Sequence, residues 1–284
     1  MLVALLLFGI INLVSASNSA EVAFVNFSQD EVILYWKNEQ KENNLVKVGS
    51  LMPYESRHLN SFTGHVFVYE VNDTKGTLAV EEETHFFALG PSELLVQCST
   101  SEGDIHAHIM PEWSPLGAAR FLQLVDIGYF DGCALNRVVP QFLTQFGISA
   151  SYDMRTAWRM ESIKDDPPVD VPFQPGFMSY AGSGKDSRSA EVFIVMPDTA
   201  QHQLQYFGTN SWETPFGFVE EEDLRTVSNW YAYGDMPPWG KGPDPQIIYT
   251  EHGYEYLKDD FPDMSYIQTC TIVGPVLGED EEEL

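Results

Sequence analysis

The chain has 284 residues, of which 44% are hydrophobic, enough for one large domain or two with a sizeable core. It carries 42 acidic and 15 basic residues, a formal net charge of -27. Nucleic acids and anionic membranes bind basic surfaces, so this charge argues against both and leaves neutral or basic proteins as expected partners.

Residues 1–16, MLVALLLFGIINLVSA, form an apolar run that is too short to span a bilayer and ends in small residues. The run predicts a secretory signal peptide cleaved near Ala16. An uncleaved anchor is the alternative, because no Lys or Arg precedes the apolar residues. No second stretch reaches transmembrane length, so we expect a protein of the ER lumen or a secreted protein, without a membrane span after cleavage.

Residues 21–90 contain short runs rich in Val, Phe, Tyr and Leu, separated by polar or Gly/Pro turns. The runs are EVAFVNFS, EVILYWKN, LVKVGSL, HVFVYEV, GTLAVEE and THFFAL. This spacing predicts a small β sandwich. Asn26 and Asn72 each begin a glycosylation sequon, which is usable only where the asparagine is exposed.

The order of these runs is similar to the β domain of the von Hippel-Lindau protein, which binds peptides carrying hydroxyproline. The resemblance implies a prolyl or hydroxyprolyl pocket formed by Trp36, Ser61, His65 and Phe67. The residues alone also allow another interpretation, in which Trp36 and Phe67 are sandwich core while Ser61 and His65 make loop hydrogen bonds.

The runs LLVQCST and IHAHIM, joined by a turn at Gly103, predict a β-hairpin. His106 and His108 project from one face of its second strand. A His-x-His pair can ligate a metal, but no third ligand is spaced nearby, so an exposed polar face is expected. Apolar residues at helical spacing then predict a helix from Pro115 to Val125.

The stretch 135–147, LNRVVPQFLTQFG, combines an apolar strand pattern with Arg137 and, eight residues later, Gln145. Burying an unpaired charge in a strand costs roughly several kcal/mol or more. Either a carboxylate elsewhere in the core holds Arg137, or the arginine lies beside an apolar aromatic surface that includes Phe142. Spacing alone leaves both readings open.

RVVPQFLTQFG resembles the signature of cyclophilin-type peptidyl-prolyl isomerases. Further matching blocks follow the family's order: EWSPLGAARFLQLVDIGYFDG before it, then GFMSYAGSGKDSRSAEVFIVM, PFG and SYIQTCTI. For residues 91–277 the resemblance implies an eight-stranded antiparallel barrel with two capping helices, in a mainly β chain. It also implies isomerisation of X-Pro bonds in proline-containing client proteins of the secretory pathway, with no cofactor and no metal.

The resemblance assigns the catalytic role to Arg137, as a donor to the prolyl nitrogen, and to Gln145, as the residue that holds the peptide and orients the arginine. The substrate-binding residues that it implies are Phe142, Leu143, Ala181, Gly182, Glu191 and Phe193.

Glu191 departs from the family, which usually carries Gln at this position. Its carboxylate could pair with Arg137 and divert the donors, or contact the substrate backbone as an acceptor. Two functions follow: a peptidyl-prolyl isomerase whose activity Glu191 weakens, or a catalytically weak or inactive relative that binds proline- or hydroxyproline-containing peptides as a scaffold. The sequence does not indicate an oligomeric state.

Cys98 and Cys270 lie in strands that are neighbours in the resembled fold, which implies a disulfide between them and leaves Cys133 free and buried. The aromatic, Pro- and Gly-rich segment 230–245 is expected to close one end of the barrel. Residues 278–284, GEDEEEL, form an acidic tail that loosely resembles an ER-retrieval signal.

Overall fold

The computed structural model describes residues 19–38, 44–82 and 84–276, and it is mainly β, as predicted. The expected signal peptide at 1–16 and acidic tail at 278–284 lie outside the described residues, and both stay predictions. Within those residues, no helix is long and apolar enough to cross a membrane.

The N-terminal strands form two sheets. They are β1 Ser19–Asn26, β2 Val32–Asn38, β3 Asn44–Leu51, β4 Ser56–Phe62, β5 Val66–Val71, β6 Thr74–Ala79 and β7 Phe86–Leu89. One sheet has the order β4-β1-β7 and the other β3-β2-β5-β6. Alternation along β1 buries Val22 and Phe24 between the sheets, where the Phe24 ring meets Phe67 with centroids 4.8 Å apart. The two sheets therefore pack as the predicted β sandwich.

The C-terminal strands form a single antiparallel sheet. They are β8 Leu94–Thr100, β9 Gly103–Ile109, β10 Cys133–Ala134, β11 Arg137–Val139, β12 Leu143–Phe146, β13 Phe177–Tyr180, β14 Val192–Val195, β15 Gly217–Val219 and β16 Tyr266–Pro275. Their order is β10-β16-β8-β9-β15-β13-β14-β12-β11.

Two residues, Leu135 and Asn136, join the edge strands β10 and β11, so the sheet curls until its edges meet. β10 pairs with β16 and β11 pairs with β12. Counted as one bent strand, β10 and β11 close the predicted eight-stranded barrel.

The helices are α1 Pro115–Asp126, α2 Tyr152–Trp158, α3 Gln201–Leu204, α4 Leu224–Asn229, α5 Pro245–Ile248 and α6 Gly253–Asp260, with 3-10 turns at Ser211–Glu213 and Glu221–Asp223. The first matches the predicted helix, with proline at its first position, where no backbone N–H is needed. Phe121 and Leu122 of α1 lie in the main core, whereas Leu257 of α6 packs in a second cluster with Ile148.

Asp166, which lies far from α1 along the chain, caps the start of this helix. Its Oδ1 accepts from the Leu116 N–H at 3.0 Å and its Oδ2 from the Gly117 N–H at 2.9 Å. Arg188 donates from Nη1 to the same Oδ2 at 2.9 Å, and the Ser114 hydroxyl also donates to it. Asp166 and Arg188 are both buried, so each charge depends on the other for compensation.

The outer face of β1 packs against the barrel domain. Ala23, Val25 and Phe27 share one core with Leu116 and Phe121 of α1. The sandwich and the barrel thus share apolar packing across the expected boundary near residue 90.

Cys98 of β8 and Cys270 of β16 lie directly opposite each other and are joined by a disulfide, as predicted. Cys133 is a buried free thiol, and burial raises its pKa to about 12. It is therefore an unreactive core residue at neutral pH.

The structure corrects one of the two glycosylation expectations. Asn26 is fully buried, and its Nδ2 donates to the carbonyls of Asp30 at 2.7 Å and Leu51 at 3.1 Å. The nitrogen that would carry a glycan is thus consumed inside the fold. Asn72 is exposed and meets the stated condition.

Candidate functional site

Arg137 and Gln145 face each other across a hairpin. They are paired residues of β11 and β12, so both side chains project from one face of the sheet. The Arg137 Nη1 donates to the Gln145 Oε1 at 3.1 Å. The register of this hairpin pairs two residues that are eight apart in the sequence. The Gln145 amide therefore lies where it can orient the Arg137 guanidinium.

The carboxylate that holds Arg137 is Asp235. Arg137 donates from Nε to Oδ1 at 2.8 Å and from Nη2 to Oδ2 at 3.2 Å, a two-point pair. Asp235 belongs to the 230–245 segment, which Gly234 attaches to β11 by donating its N–H to the Val138 carbonyl at 3.2 Å. The segment therefore supplies the counter-ion of the arginine.

Glu191 does not pair with Arg137, which corrects one of the two alternatives predicted for it. Its Oε2 accepts from Gln145 Nε2 at 2.7 Å, and its Oε1 accepts from the Tyr249 hydroxyl at 2.8 Å. A carboxylate can only accept, so Gln145 must turn its NH2 toward Glu191 and its oxygen toward Arg137. Burial raises the pKa of Glu191, and the two hydrogen bonds oppose that rise.

Glu191→Gln should increase the free energy of unfolding at neutral pH, because it removes a buried charge and the new amide can still accept from Gln145 and donate to Tyr249. The raised folded-state pKa means that wild type gains stability by protonation as the pH falls through that pKa toward the ordinary carboxyl value of 4.5. The advantage of the variant should therefore shrink with falling pH. Urea unfolding of both proteins at pH 7.5 and pH 5 measures this difference, and a gap that does not change with pH would contradict it.

An apolar pocket adjoins the arginine. Leu143 and Phe193 are buried on the neighbouring strands β12 and β14, and Phe142 lies at the rim with 37% of its surface exposed. The Phe207 ring lies 5.5 Å from Phe142 and 5.6 Å from Phe193 between centroids. The Arg137 guanidinium carbon lies 5.5 Å from the centroid of Phe142. A cation thus borders an apolar, aromatic pocket.

Arg137 and the pocket open into one cleft of about 630 Å³. All eight residues predicted for the site line it: Arg137, Phe142, Leu143, Gln145, Ala181, Gly182, Glu191 and Phe193. Trp212 lines it too, and a Cβ on Gly182 would lie 2.6 Å from the Trp212 indole, so glycine at 182 makes room for that ring. The structure brings the predicted residues together, and their roles in binding and catalysis stay predictions.

Among the residues at the cleft that sequence reasoning missed, Asp235, Phe207 and Tyr249 contact predicted site residues directly. Asp235 and Tyr249 lie 98 and 58 residues along the chain from Arg137 and Glu191, the side chains that they contact. The signal available for Asp235 was its place in the aromatic segment expected to close the barrel end, but one acid among 42 carries little weight.

The N-terminal candidates lie within the sandwich, where Phe67 and Ser61 are buried while Trp36 and His65 are half-buried. Phe67 is buried opposite Trp36 in the sandwich core. The Ser61 hydroxyl lies 3.1 Å from His65 Nδ1, and the His65 ring lies 5.6 Å from Trp36 between centroids. Ser61 belongs to β4 and His65 precedes β5, so the contact joins the ends of two strands, and the hydroxyproline pocket stays a prediction.

Residues 95–232 match the family model of cyclophilin-type peptidyl-prolyl cis-trans isomerases. A Streptococcus pyogenes protein named as a bifunctional phosphatase/peptidyl-prolyl cis-trans isomerase is 26% identical over 129 residues, which are 45% of this chain and 27% of that protein. A Staphylococcus aureus protein named as a peptidyl-prolyl cis-trans isomerase is 27% identical over 129 residues, with 43% of this chain and 64% of the relative covered. The chain thus spans less than two thirds of either relative.

A solved Cryptosporidium parvum cyclophilin-type isomerase superposes with a TM-score of 0.44 and 17% identity, covering 63% of this chain and 97% of that one. The matched family range begins after the sandwich, so the von Hippel-Lindau resemblance of residues 21–90 stays a prediction. Residues 95–232 are thus similar to cyclophilin-type isomerases in sequence, and they contain most strands of the barrel described above.

Proposed function

We propose that this chain is a peptidyl-prolyl cis-trans isomerase that acts on X-Pro bonds of proteins in the secretory pathway. The observation that carries the proposal is one cleft in which Arg137, oriented by Gln145, borders the apolar pocket of Phe142, Leu143 and Phe193. The family match of residues 95–232 supports the same reaction class.

The reaction is a rotation and needs no nucleophile. A peptide C–N bond resists rotation by about 18 to 20 kcal/mol because of amide resonance. In the twisted state the prolyl nitrogen becomes pyramidal and regains a lone pair. A donor aimed at that nitrogen stabilises the twisted amide more than either planar form, which is how binding becomes catalysis. Arg137 supplies the donor, while the apolar pocket holds the ring.

Arg137 keeps donors available for this role. A guanidinium has five N–H groups. Within the described part of the chain, Asp235 accepts from two of them and Gln145 from one, so two remain, one on each terminal nitrogen. The same contacts fix the plane of the guanidinium, which limits the reorganisation required when the amide twists.

Asp235 favours a second candidate function, a scaffold that binds prolyl peptides with little catalysis. A two-point carboxylate partner lowers the electrostatic pull that Arg137 exerts on a substrate nitrogen. The sequence suggested that Glu191 neutralises Arg137, whereas Asp235 is the acid that contacts the guanidinium.

Asp235→Asn separates the two candidates. The amide can still accept from Arg137, while the negative charge is gone. For a partly exposed pair worth about 1 kcal/mol, kcat/KM on a short X-Pro peptide should rise about fivefold. A protease-coupled or NMR exchange assay of the wild-type chain and the variant measures the change.

Asp170→Asn is the matched control, because it removes an exposed acid that lies outside the residues lining the cleft, and it should leave kcat/KM within about twofold. An active wild type supports the isomerase. A wild type that binds the peptide without catalysis, and gains activity with Asp235→Asn, supports the scaffold.

The secretory location is part of the proposal. The Cys98–Cys270 disulfide supports it, since such bonds persist in oxidising compartments, and the exposed Asn72 sequon is compatible with it. Co-localisation of the tagged chain with an ER marker, or its recovery from the medium, tests this part.

A further inference from the structure

His106 and His108 lie on the outer face of β9. Ile105, Ala107 and Ile109 alternate with them and are buried in the barrel core. The sequence offered no third ligand near this pair. The structure supplies two, because β15 runs beside β9 and the segment after it brings Glu220 and Asp223 to the histidines.

The donor atoms converge at short distances. His106 Nδ1 lies 2.8 Å from Asp223 Oδ2, and the same oxygen accepts from the His106 backbone N–H at 2.7 Å. One donor atom each from His106, Glu220 and Asp223 lies within 4.8 Å of the others. All three side chains are partly buried, with 20% to 33% exposure.

A second histidine fixes the position of Glu220. His108 Nε2 lies 2.9 Å from Glu220 Oε1, and its Nδ1 contacts Glu93. The His108 ring stacks on Phe218 with centroids 4.9 Å apart and planes 3° from parallel. Carboxylate–histidine contacts of this kind orient ligands in metal sites from outside the coordination sphere.

We propose that His106, Glu220 and Asp223 bind a Zn²⁺ ion, and that His108 orients Glu220 for it. One imidazole nitrogen and two carboxylate oxygens are ligands that zinc accepts, at about 2.0 to 2.2 Å. The set has too few oxygens for calcium, which takes about six to eight. A fourth position is left for water.

The charge of the cluster favours a cation. Among the described residues, the ion pairs of Glu220 and Asp223 are made with these two histidines. A divalent ion between them would compensate two carboxylates in a chain whose net charge is -27. It would also join β9 to the turn Glu221–Asp223 and so stabilise the folded state.

Titration of the purified full chain with ZnCl2 by isothermal calorimetry tests the site. We expect binding of one ion, a higher Tm with zinc, and a Kd that rises at least about tenfold for His106→Gln, for Asp223→Asn and, through positioning, for His108→Asn. Far-UV circular dichroism confirms that each variant is folded, and Ca²⁺ should not compete.

His252→Gln is the matched control. His252 lies 3.0 Å from Glu255 in a pair whose side chains are both 76% exposed, and among the described residues this histidine–carboxylate contact has no third ligand. Its substitution should leave the zinc Kd unchanged. The proposal is overturned if zinc does not bind, if binding survives both His106→Gln and Asp223→Asn, or if Ca²⁺ competes at equal concentration.

Discussion

Arg137→Ala should reduce kcat/KM for X-Pro isomerisation by about 100-fold or more, since it removes the donor that stabilises the twisted amide. The loss should fall on kcat more than on KM, because the apolar pocket of Leu143 and Phe193 remains to bind the ring. An isomerisation assay with a short X-Pro peptide, at several substrate concentrations, separates the two constants.

Arg225→Ala is the control for Arg137→Ala, because it removes an exposed arginine of α4 that lies outside the residues lining the cleft. It should leave both kinetic constants unchanged. Equal urea midpoints for Arg137→Ala and wild type would show that the fold is intact. If Arg137→Ala keeps full activity, the assignment of the site is wrong.

Asp166→Ala should decrease the free energy of unfolding by about 3 to 5 kcal/mol, the usual cost of breaking a buried ion pair. The variant leaves the Arg188 guanidinium buried without its closest carboxylate and frees the N–H groups at the start of α1. Urea unfolding followed by tryptophan fluorescence measures the loss.

Two further substitutions sharpen this test. Asp166→Asn keeps an acceptor for the helix and should lose less stability than Asp166→Ala. Asp170→Ala removes an exposed acid four residues away and should change the free energy of unfolding by less than about 0.5 kcal/mol. Equal losses for Asp166→Ala and Asp170→Ala would show that the buried pair does not support the fold.

Local patterns predicted much of this molecule. The strand alternation and the helical spacing after Pro115 gave the sandwich strands and α1, because both depend on near neighbours in the sequence. The sequence pattern treated 135–147 as one strand, whereas a turn at 140–142 divides it into β11 and β12, and this hairpin is what pairs Arg137 with Gln145. The family resemblance added the pairing of β8 with β16 and hence the disulfide.

The remaining contacts join segments that no local pattern relates. Asp235 is 98 residues from Arg137 along the chain, and Asp166 is about 50 residues from the helix that it caps. The Glu220 and Asp223 partners of the His106 and His108 pair are more than 100 residues away. Each contact depends on which loop the barrel brings to which strand, and acids are too common in this chain for composition to single them out.

The cleft divides its chemistry between two separable parts of the chain. Arg137 and the apolar pocket of Phe142, Leu143 and Phe193 lie inside 95–232, whereas Asp235 and Tyr249 follow that range. The segment after 232 therefore forms part of the cleft wall and also supplies the acid that pairs with Arg137. A single exchange at 235 can retune the arginine without disturbing any strand, which makes the reactivity of this cleft adjustable independently of its fold.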